Sequence, residues 1–575
     1  MSRYILIFLG IVGIFLGFAN PFIQIPFLVL LYPFSLYILA HSSKNYFRDT
    51  LLMGILGYGV SFYWIAVTIH IYGAVPYALA FFVPFVVGLY FALYGSLLAV
   101  FIRKILFASP IYKVLSLGLL WYLIEYFRGF FLTGFSWFTL SSAFSVMPAM
   151  IQGASLIGAY ALSGLFTLVA FFFAEFYLVS YQVDFQGKRP ISQFSQYSIK
   201  YGGMLILICV YWFGSVYLNQ QNKNYGEYSI AAQEIMHRKV NVPYNVVHTN
   251  PSIVGEVKHS LIKSNKEFEN TVLFTLVQGN ISQNVKWSKL FQQDSINKFL
   301  RLTQETEDFL QKNALSTQEN IFIYPETAFP ITSYHYPDLY EQIRKTAKDK
   351  IMVYGIPYYV DKKYYNSIEM INHGQFMGRY SKEHLVPFGE YLPPLPLPQF
   401  FTDFLSQYGG VFSVGENNNK AIALNINDTQ ENIQKNKQEI KIGSLVCYEA
   451  IFPEIARESV LQGANFFVNI SNDAWYDKTS APYQHLQLSL MRAVENGVYM
   501  LRASNTGVSA VIDKFGQILA TTDLFTDETL SVVLPVENHK KTFYTNYASY
   551  ILWGAMIICI GLLFGIYQQK KKLCE

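Results

Sequence analysis

Charge is scarce in this 575-residue chain: Asp, Glu, Lys and Arg make up 14%, against 52% hydrophobic residues. Soluble domains carry about 25% charged residues, so a chain that is soluble throughout is excluded. Long basic tracts are also missing and the formal net charge is only +4, which argues against a surface that tracks nucleic-acid phosphates. Cysteine is rare. Cys209, Cys447, Cys559 and Cys574 are widely scattered, so neither a disulfide framework nor a zinc spacing is available. No nucleotide-binding motif occurs either, and no cofactor is expected.

What the chain does have is apolar residues, concentrated between Met1 and Leu218 and again near the C-terminus, with most of the charge between. A membrane span needs roughly 20 mostly apolar residues. Eight runs qualify: Tyr4–Phe18, Phe22–Ala40, Leu51–Ile71, Val75–Ile102, Val114–Phe131, Leu156–Ser180, Gly202–Leu218 and Tyr547–Gln568. Arg3, the first run and Ala19 together also fit a cleaved signal peptide. A second run starts at once after Asn20-Pro21, however, and suits a helix hairpin better. With all eight spanning, Arg3, Lys44/Arg48, Arg103/Lys104/Lys113, Lys188/Arg189/Lys200 and Lys570–Lys572 fall on one side, which the positive-inside rule makes cytoplasmic. The large polar insert before the last span then faces outward. Glu125 and Arg128, three apart at an outer helix end, are expected to form an ion pair that pins the helix or grips a lipid headgroup. Glu175 is expected to reach the inner interface.

From about Thr271 the pattern becomes short β-rich runs alternating with polar helical stretches. Strands are expected at Val272–Gln278, Ile321–Tyr324, Ile351–Tyr354, Ile442–Cys447, Phe466–Ile470, Tyr499–Ala503 and Ser509–Ile512, which argues for an α/β sandwich with a buried sheet. The organisation predicted is a seven-span domain over 1–218, a connector over 219–270, a catalytic domain over 271–540 and an eighth helix with its tail over 541–575. Glu416–Lys441, rich in Asn, Gln and Lys, reads as a surface excursion.

Three strand ends carry chemistry. Glu326 follows Ile321-Phe322-Ile323-Tyr324-Pro325, Lys382 lies in Tyr380-Ser381-Lys382-Glu383-His384, and Cys447 closes Leu445-Val446-Cys447. Strand ends are where α/β folds expose reactive groups. A thiol attacks as thiolate, a buried carboxylate can take its proton, and an ammonium can stabilise the oxyanion that develops on the attacked carbonyl. The three therefore suffice for acyl transfer through a thioester. Taken singly, each has a plainer reading: a lone Cys at a strand end is often a small core residue, and loop Glu and Lys are usually solvated.

The surrounding segments resemble the carbon–nitrogen hydrolase, or nitrilase, superfamily, whose order is also Glu, Lys, Cys. More narrowly, Val277-Gln278-Gly279-Asn280-Ile281, Tyr324-Pro325-Glu326-Thr327-Ala328, the run from Lys382 through His384-Leu385-Val386-Pro387-Phe388-Gly389-Glu390-Tyr391, Cys447-Tyr448-Glu449 and Ser471-Asn472-Asp473-Ala474-Trp475 look like the apolipoprotein N-acyltransferase family. The likeness runs over nearly the whole chain and implies an αββα nitrilase-like sandwich joined to a multi-pass helical membrane domain. It implies that Cys447 is the nucleophile, Glu326 the general base and Lys382 the oxyanion partner. By the same likeness Glu390 is a second glutamate near the site, Tyr448 and Glu449 flank the nucleophile, and Trp287 and Trp475 lie near the lipid entrance. For Trp475, plain interfacial anchoring fits as well. The implied activity moves an acyl chain from a phospholipid to the amino group of a diacylglyceryl-cysteine on an apolipoprotein. It would run in a bacterial inner membrane, by a monomer, with the site on the periplasmic face. Ser136, Ala481 and Val498 depart from the family's usual Pro, Gly and Arg without touching the three central residues. Two rivals remain: a membrane-tethered amidase that gives the thioester to water, and a transporter or scaffold with a degenerate enzyme domain. Against the second, the spans lack the Gly/Pro-broken or charged midplane segments of a transport site.

Overall fold

A computed structural model describes residues 1–186, 211, 214, 247–248, 258–262, 270–286, 289–312, 319–393, 412–417, 419–426, 438–536 and 540–575. The expected span Gly202–Leu218, nearly all of the connector, Trp287 and the centre of the Glu416–Lys441 excursion lie outside these residues.

The N-terminal region is a helical bundle. Helix α1 (Arg3–Gly17) is capped by Ser2, whose hydroxyl accepts from the Ile5 amide, and it ends before the Asn20-Pro21 turn. There the Asn20 carboxamide oxygen accepts from the amides of Phe22 at 2.9 Å and Ile23 at 3.1 Å, the local bonding by which Asn favours turns over helix. Helices α2 (Leu31–Ser42), α3 (Tyr46–Ser61), α4 (Tyr63–Gly73), α5 (Val83–Lys104), α6 (Pro110–Arg128) and α7 (Ala154–Gln186) follow. A Cβ built on Gly54 of α3 would lie 2.6 Å from the Ala92 side chain of α5, so this crossing depends on small residues, as in membrane helix pairs generally.

Among the described residues, three helical stretches are long and apolar enough to cross a membrane: Tyr77–Lys104, Ala154–Leu178 and Phe543–Cys574. A fourth is added if α3 and α4, bent by 53° at Phe62, count as one. Arg3–Gly17 and Pro26–Ser42 are shorter apolar helices. The chain is thus a membrane protein with several apolar spans.

Two side-chain expectations in the bundle need correction. Glu125 and Arg128 form no ion pair. Glu125 accepts from the Trp121 indole and the Leu140 amide, while Arg128 donates to the carbonyls of Trp137 and Phe138 and lies over the Phe91 ring. Both therefore turn to the orphan backbone of the loop after α6, where unpaired groups are costly. Glu175 does not reach the interface either: it is buried between Lys113, at 2.8 Å, and the Tyr37 hydroxyl.

The second region holds two sheets. The larger has the order β1-β2-β14-β3-β4-β5-β6-β7 and the smaller β13-β12-β11-β10-β9-β8. In the larger, β1 (Val247–His248), β2 (Lys258–Ile262) and β14 (Glu528–Pro535) lead to β3 (Thr271–Gln278), β4 (Asn320–Ile323), β5 (Ile351–Val360), β6 (Lys363–Asn372) and β7 (Gln375–Ser381). The smaller is built from β8 (Ala421–Ile426), β9 (Gln438–Val446), β10 (Phe466–Ser471), β11 (Tyr499–Ser504), β12 (Ala510–Ile512) and β13 (Ile518–Thr521). The sheets face each other through Phe274, Leu276, Ile323, Val353, Ile442, Val468, Ile470 and Leu501.

On the outer face of the larger sheet lie α9 (Lys289–Lys312) and α10 (Pro337–Thr346), reached through the one-turn α8 (Gln283–Lys286). On the outer face of the smaller lie α11 (Pro453–Leu461) and α12 (Ala481–Asn496), and α13 (Phe543–Cys574) closes the chain. The arrangement is the expected αββα sandwich. Its second helix layer shares one continuous apolar core with the bundle, from Leu36 and Phe62 through Trp137 to Leu490 and Val494. Sandwich and bundle are therefore packed as one body.

Candidate active site

The three central residues sit at neighbouring strand ends. β3, β4 and β5 run parallel in one sheet, as do β9, β10 and β11 in the other, so Glu326 and Cys447 leave the carboxyl ends of parallel strands. Beyond β4 the chain turns sharply through Glu326 and Thr327, the latter at φ +47°. A Cβ on Gly355 would lie 2.4 Å from the Thr327 nitrogen and 2.7 Å from the Glu326 Cα. Only a glycine in β5 lets this turn pass so closely. Cys447 itself adopts φ +50°, a conformation unfavourable for a side chain with a Cβ and characteristic of functional turns. Lys382 follows β7, held by its amide on Asn366 and its carbonyl on Gly415, both at 2.8 Å.

All three side chains are buried. The Lys382 ammonium lies 2.7 Å from Glu390 and 3.7 Å from Glu326. Asn366, on β6, donates to both carboxylates, at 2.6 Å to Glu326 and 2.9 Å to Glu390. Glu390 also accepts from the Val386 amide. Burial would lower Lys382, but the carboxylates of Glu390 and Glu326 outweigh it and hold the ammonium above its ordinary value. The Cys447 thiol is pushed far up by burial, to which Glu326 adds and against which Lys382 pulls. Burial therefore disfavours the thiolate, and a base placed to take the proton would assist attack by the sulfur.

A second buried group supports the Cys447 backbone. Ser471 donates to Asp473 at 2.7 Å, and its oxygen lies 3.4 Å from the Cys447 sulfur. Asp473 in turn faces Arg502 at 2.8 Å and His485 at 3.2 Å. Burial would raise the Asp473 carboxyl, yet Arg502 and His485 hold it well below the usual carboxylate range. Burial and the Arg502 cation lower the imidazole. Nε2 donates to the Cys447 carbonyl at 3.1 Å, and Nδ1 lies between Asp473 at 3.2 Å and Arg502 at 3.1 Å. Cys447, Asp473 and His485 do bring ligand atoms within 4.8 Å of one another. A metal there would have to displace the Arg502 guanidinium that already neutralises Asp473.

The flanking residues join the site to its surroundings. Glu449 accepts from the amides of Val446, Glu383 and His384 and from the Tyr380 hydroxyl, tying the Cys447 turn to the Lys382 segment; burial pushes its carboxyl up to about 7. Tyr448 donates to the Gly134 carbonyl in the bundle at 3.1 Å. Trp475 is 40% exposed, packs on Tyr72 and accepts through its carbonyl from Thr68. Arg128 is buried within the bundle. Asn366, Lys286, His485 and Arg502 were missed by sequence reasoning. Ser471 and Asp473 lie within a segment it had singled out.

A buried Glu–Lys–Cys group at parallel strand ends of an αββα sandwich defines the carbon–nitrogen hydrolase class, and residues 275–542 match the carbon–nitrogen hydrolase family. Residues 12–172 match the N-terminal domain of apolipoprotein N-acyltransferase. The apolipoprotein N-acyltransferase of Geobacter metallireducens is 29% identical over 521 residues, 89% of this chain and 85% of the relative. That of Pasteurella multocida is 26% identical over 99% of this chain and 96% of its own length. Both matched domains and the near full-length relatives agree: the chain belongs to the apolipoprotein N-acyltransferase family. Among solved structures, the nitrilase-superfamily protein Nit3 of Saccharomyces cerevisiae covers 49% of this chain and 94% of its own, at 19% identity and a TM-score of 0.33.

Proposed function

We propose that this protein moves an acyl chain from a membrane phospholipid to the α-amino group of a diacylglyceryl-cysteine on an apolipoprotein, through a thioester on Cys447. Glu326 takes the Cys447 proton as the sulfur attacks an ester carbonyl, and Lys382 stabilises the oxyanion. Collapse breaks the ester bond, and the departing lysophospholipid oxygen takes the proton back from Glu326. In the second stage the amine attacks the thioester, Glu326 accepts the amine's proton, and the sulfur leaves and is reprotonated from Glu326. Glu390 and Asn366 hold Lys382 and Glu326 in register throughout. The eight apolar runs are read as eight spans, with the sandwich on the periplasmic side and Trp287 and Trp475 at the lipid entrance.

The observation that carries this reading is the seat of the nucleophile on the bundle: Cys447 is followed by Tyr448, hydrogen-bonded to Gly134 in the loop after α6. The seat joins the sulfur's turn to the helices that membrane lipid would surround, whereas an amidase acting on soluble substrates has no need of it. The test is intact-mass analysis of the purified protein after incubation with phospholipid alone, with Cys447→Ser and Cys447→Ala as controls. The expected result is an acyl-sized adduct on the wild type only, released by hydroxylamine and by a diacylated lipopeptide but slowly by water. Rapid release of free fatty acid without an amine would favour the hydrolase, and the absence of any adduct on folded protein would overturn the assignment.

A further inference from the structure

Lys286 is a buried lysine that the reaction scheme leaves unused. It is 1% exposed and sits at the end of α8, a segment fastened over the site from two sides. Asn472 donates to Gln283 at 2.7 Å, and Asn505 brackets Ile281, donating to its carbonyl and accepting from its amide. A lysine so deeply buried is normally paired with a carboxylate. Here, among the described residues, the one hydrogen bond from the Lys286 ammonium nitrogen goes to a backbone carbonyl, that of Glu326, at 2.9 Å.

That carbonyl lies in the tight turn where Thr327 is at φ +47° and Gly355 passes beneath. The Glu326 carboxylate is held at its far end by Asn366 and Lys382, but the direction in which the side chain leaves the backbone is set by the turn. We infer that Lys286 is a positioning residue for the reaction, clamping the backbone of Glu326 so that the base faces the Cys447 sulfur. Burial lowers Lys286 to about 7, with Glu326 and Cys447 pulling it back up, which places it within electrostatic reach of both reacting groups. Either protonation state of the amine donates a hydrogen bond, so the clamp holds through proton transfer. A lysine that merely filled space there would be replaced without loss by methionine of similar length.

This inference rests on Glu326 acting as the base of the proposed reaction. Its test uses full-length protein in detergent, comparing wild type, Lys286→Met and Lys286→Arg by two readouts. The first is formation of the Cys447 acyl adduct from phospholipid. The second is the pH profile of Cys447 alkylation by iodoacetamide, which needs no acyl donor. The charged or titratable groups facing the thiol besides Lys286 are Glu326, Lys382, Asp473 and, beyond them, Glu390, His485 and Tyr476. All are unchanged by the substitutions.

For Lys286→Met, adduct formation is expected to fall about 10- to 100-fold, the cost of misplacing a reacting group by about an ångström. Half-saturation by lipid should stay within about twofold, and the alkylation profile should move upward by about one pH unit, with Lys286→Arg intermediate. Adduct and alkylation rates within about threefold of wild type overturn the inference. So does parallel loss of both rates and of the thermal transition in both variants, which would make Lys286 a support of the fold. A shifted alkylation profile with no lipid adduct even on wild type keeps the clamp and defeats the acyl-donor reading instead.

Discussion

Among the described residues, lysine is deeply buried against glutamate in the bundle and again in the sandwich, and the difference between the two separates structure from chemistry. In the bundle Lys113 pairs with Glu175 at 2.8 Å, and the Tyr37 hydroxyl takes the other carboxylate oxygen. One charge meets one charge. In the sandwich Lys382 meets two carboxylates, Glu390 at 2.7 Å and Glu326 at 3.7 Å, and a thiol stands nearby. One negative charge is left over. A closed pair holds helices together, whereas an open one has a site to which a proton can move.

Breaking the two clusters should therefore have different consequences. The largest effect is expected for Lys382→Met, which removes the proposed oxyanion partner and leaves Glu326 and Glu390 facing each other. Adduct formation on Cys447 should drop by about 10²–10³ or more, together with a stability loss of about 3–5 kcal/mol from the uncompensated buried charge; intact mass and thermal unfolding read the two separately. Lys113→Met should cost a similar ~3–5 kcal/mol by leaving Glu175 unpaired. The double variant Lys113→Met/Glu175→Leu should recover most of it, because an apolar replacement of a whole buried pair is near neutral, while the folded protein keeps activity within about twofold. A large activity loss in the stable double variant would show that the bundle pair takes part in the reaction and would erase the distinction.

The smallest effect sharpens the comparison at the site's edge, where His384 stacks on Phe452 with ring centroids 3.7 Å apart. Burial holds this imidazole down at about 4, against its ordinary 6.5. Between those values the unfolded chain binds a proton that the fold refuses, so the neutral ring's contribution is intact above about 6.5 and is lost as pH falls toward about 4. The slope should approach ~1 kcal/mol per pH unit. His384→Phe should flatten the thermal midpoint between pH 6.5 and 4.5 relative to wild type; identical slopes would show that the ring is not buried as described.

Legibility in the sequence followed the physics of each element. β3, β10 and β11 are short apolar runs of strand length and lie where those runs predict. β6 and β7 were not foreseen: Lys363–Asn372 mixes charge, Asn and Tyr, and its turn from β5 uses Asp361 and Lys362 at φ +50° and +61° without a glycine. That hairpin pattern lacks its usual Asn-Gly signature. The same gap hid Asn366, which sits inside the unforeseen strand.

Glu326 and Cys447 were legible as the ends of the apolar runs that form β4 and β9, and Lys382 through the distinctive segment around it rather than through its strand, β7. Lys286 was not, since a lysine in a polar stretch looks solvated until the fold buries it. The Glu125–Arg128 expectation failed for the opposite reason: helical spacing placed the two side by side, but the backbone of the following loop competed for both and won.

Helix α12 carries one further consequence. Gln484 accepts from the indoles of Trp64 and Trp137 and donates to the Ala19 carbonyl, all in the bundle, and the very next residue, His485, holds the Cys447 carbonyl. Adjacent rungs of one helix thus grip the bundle and the reactive turn. The helix leaves no joint between these two points, so whatever reacts at the sulfur meets a turn fixed to the bundle and has to be brought to it.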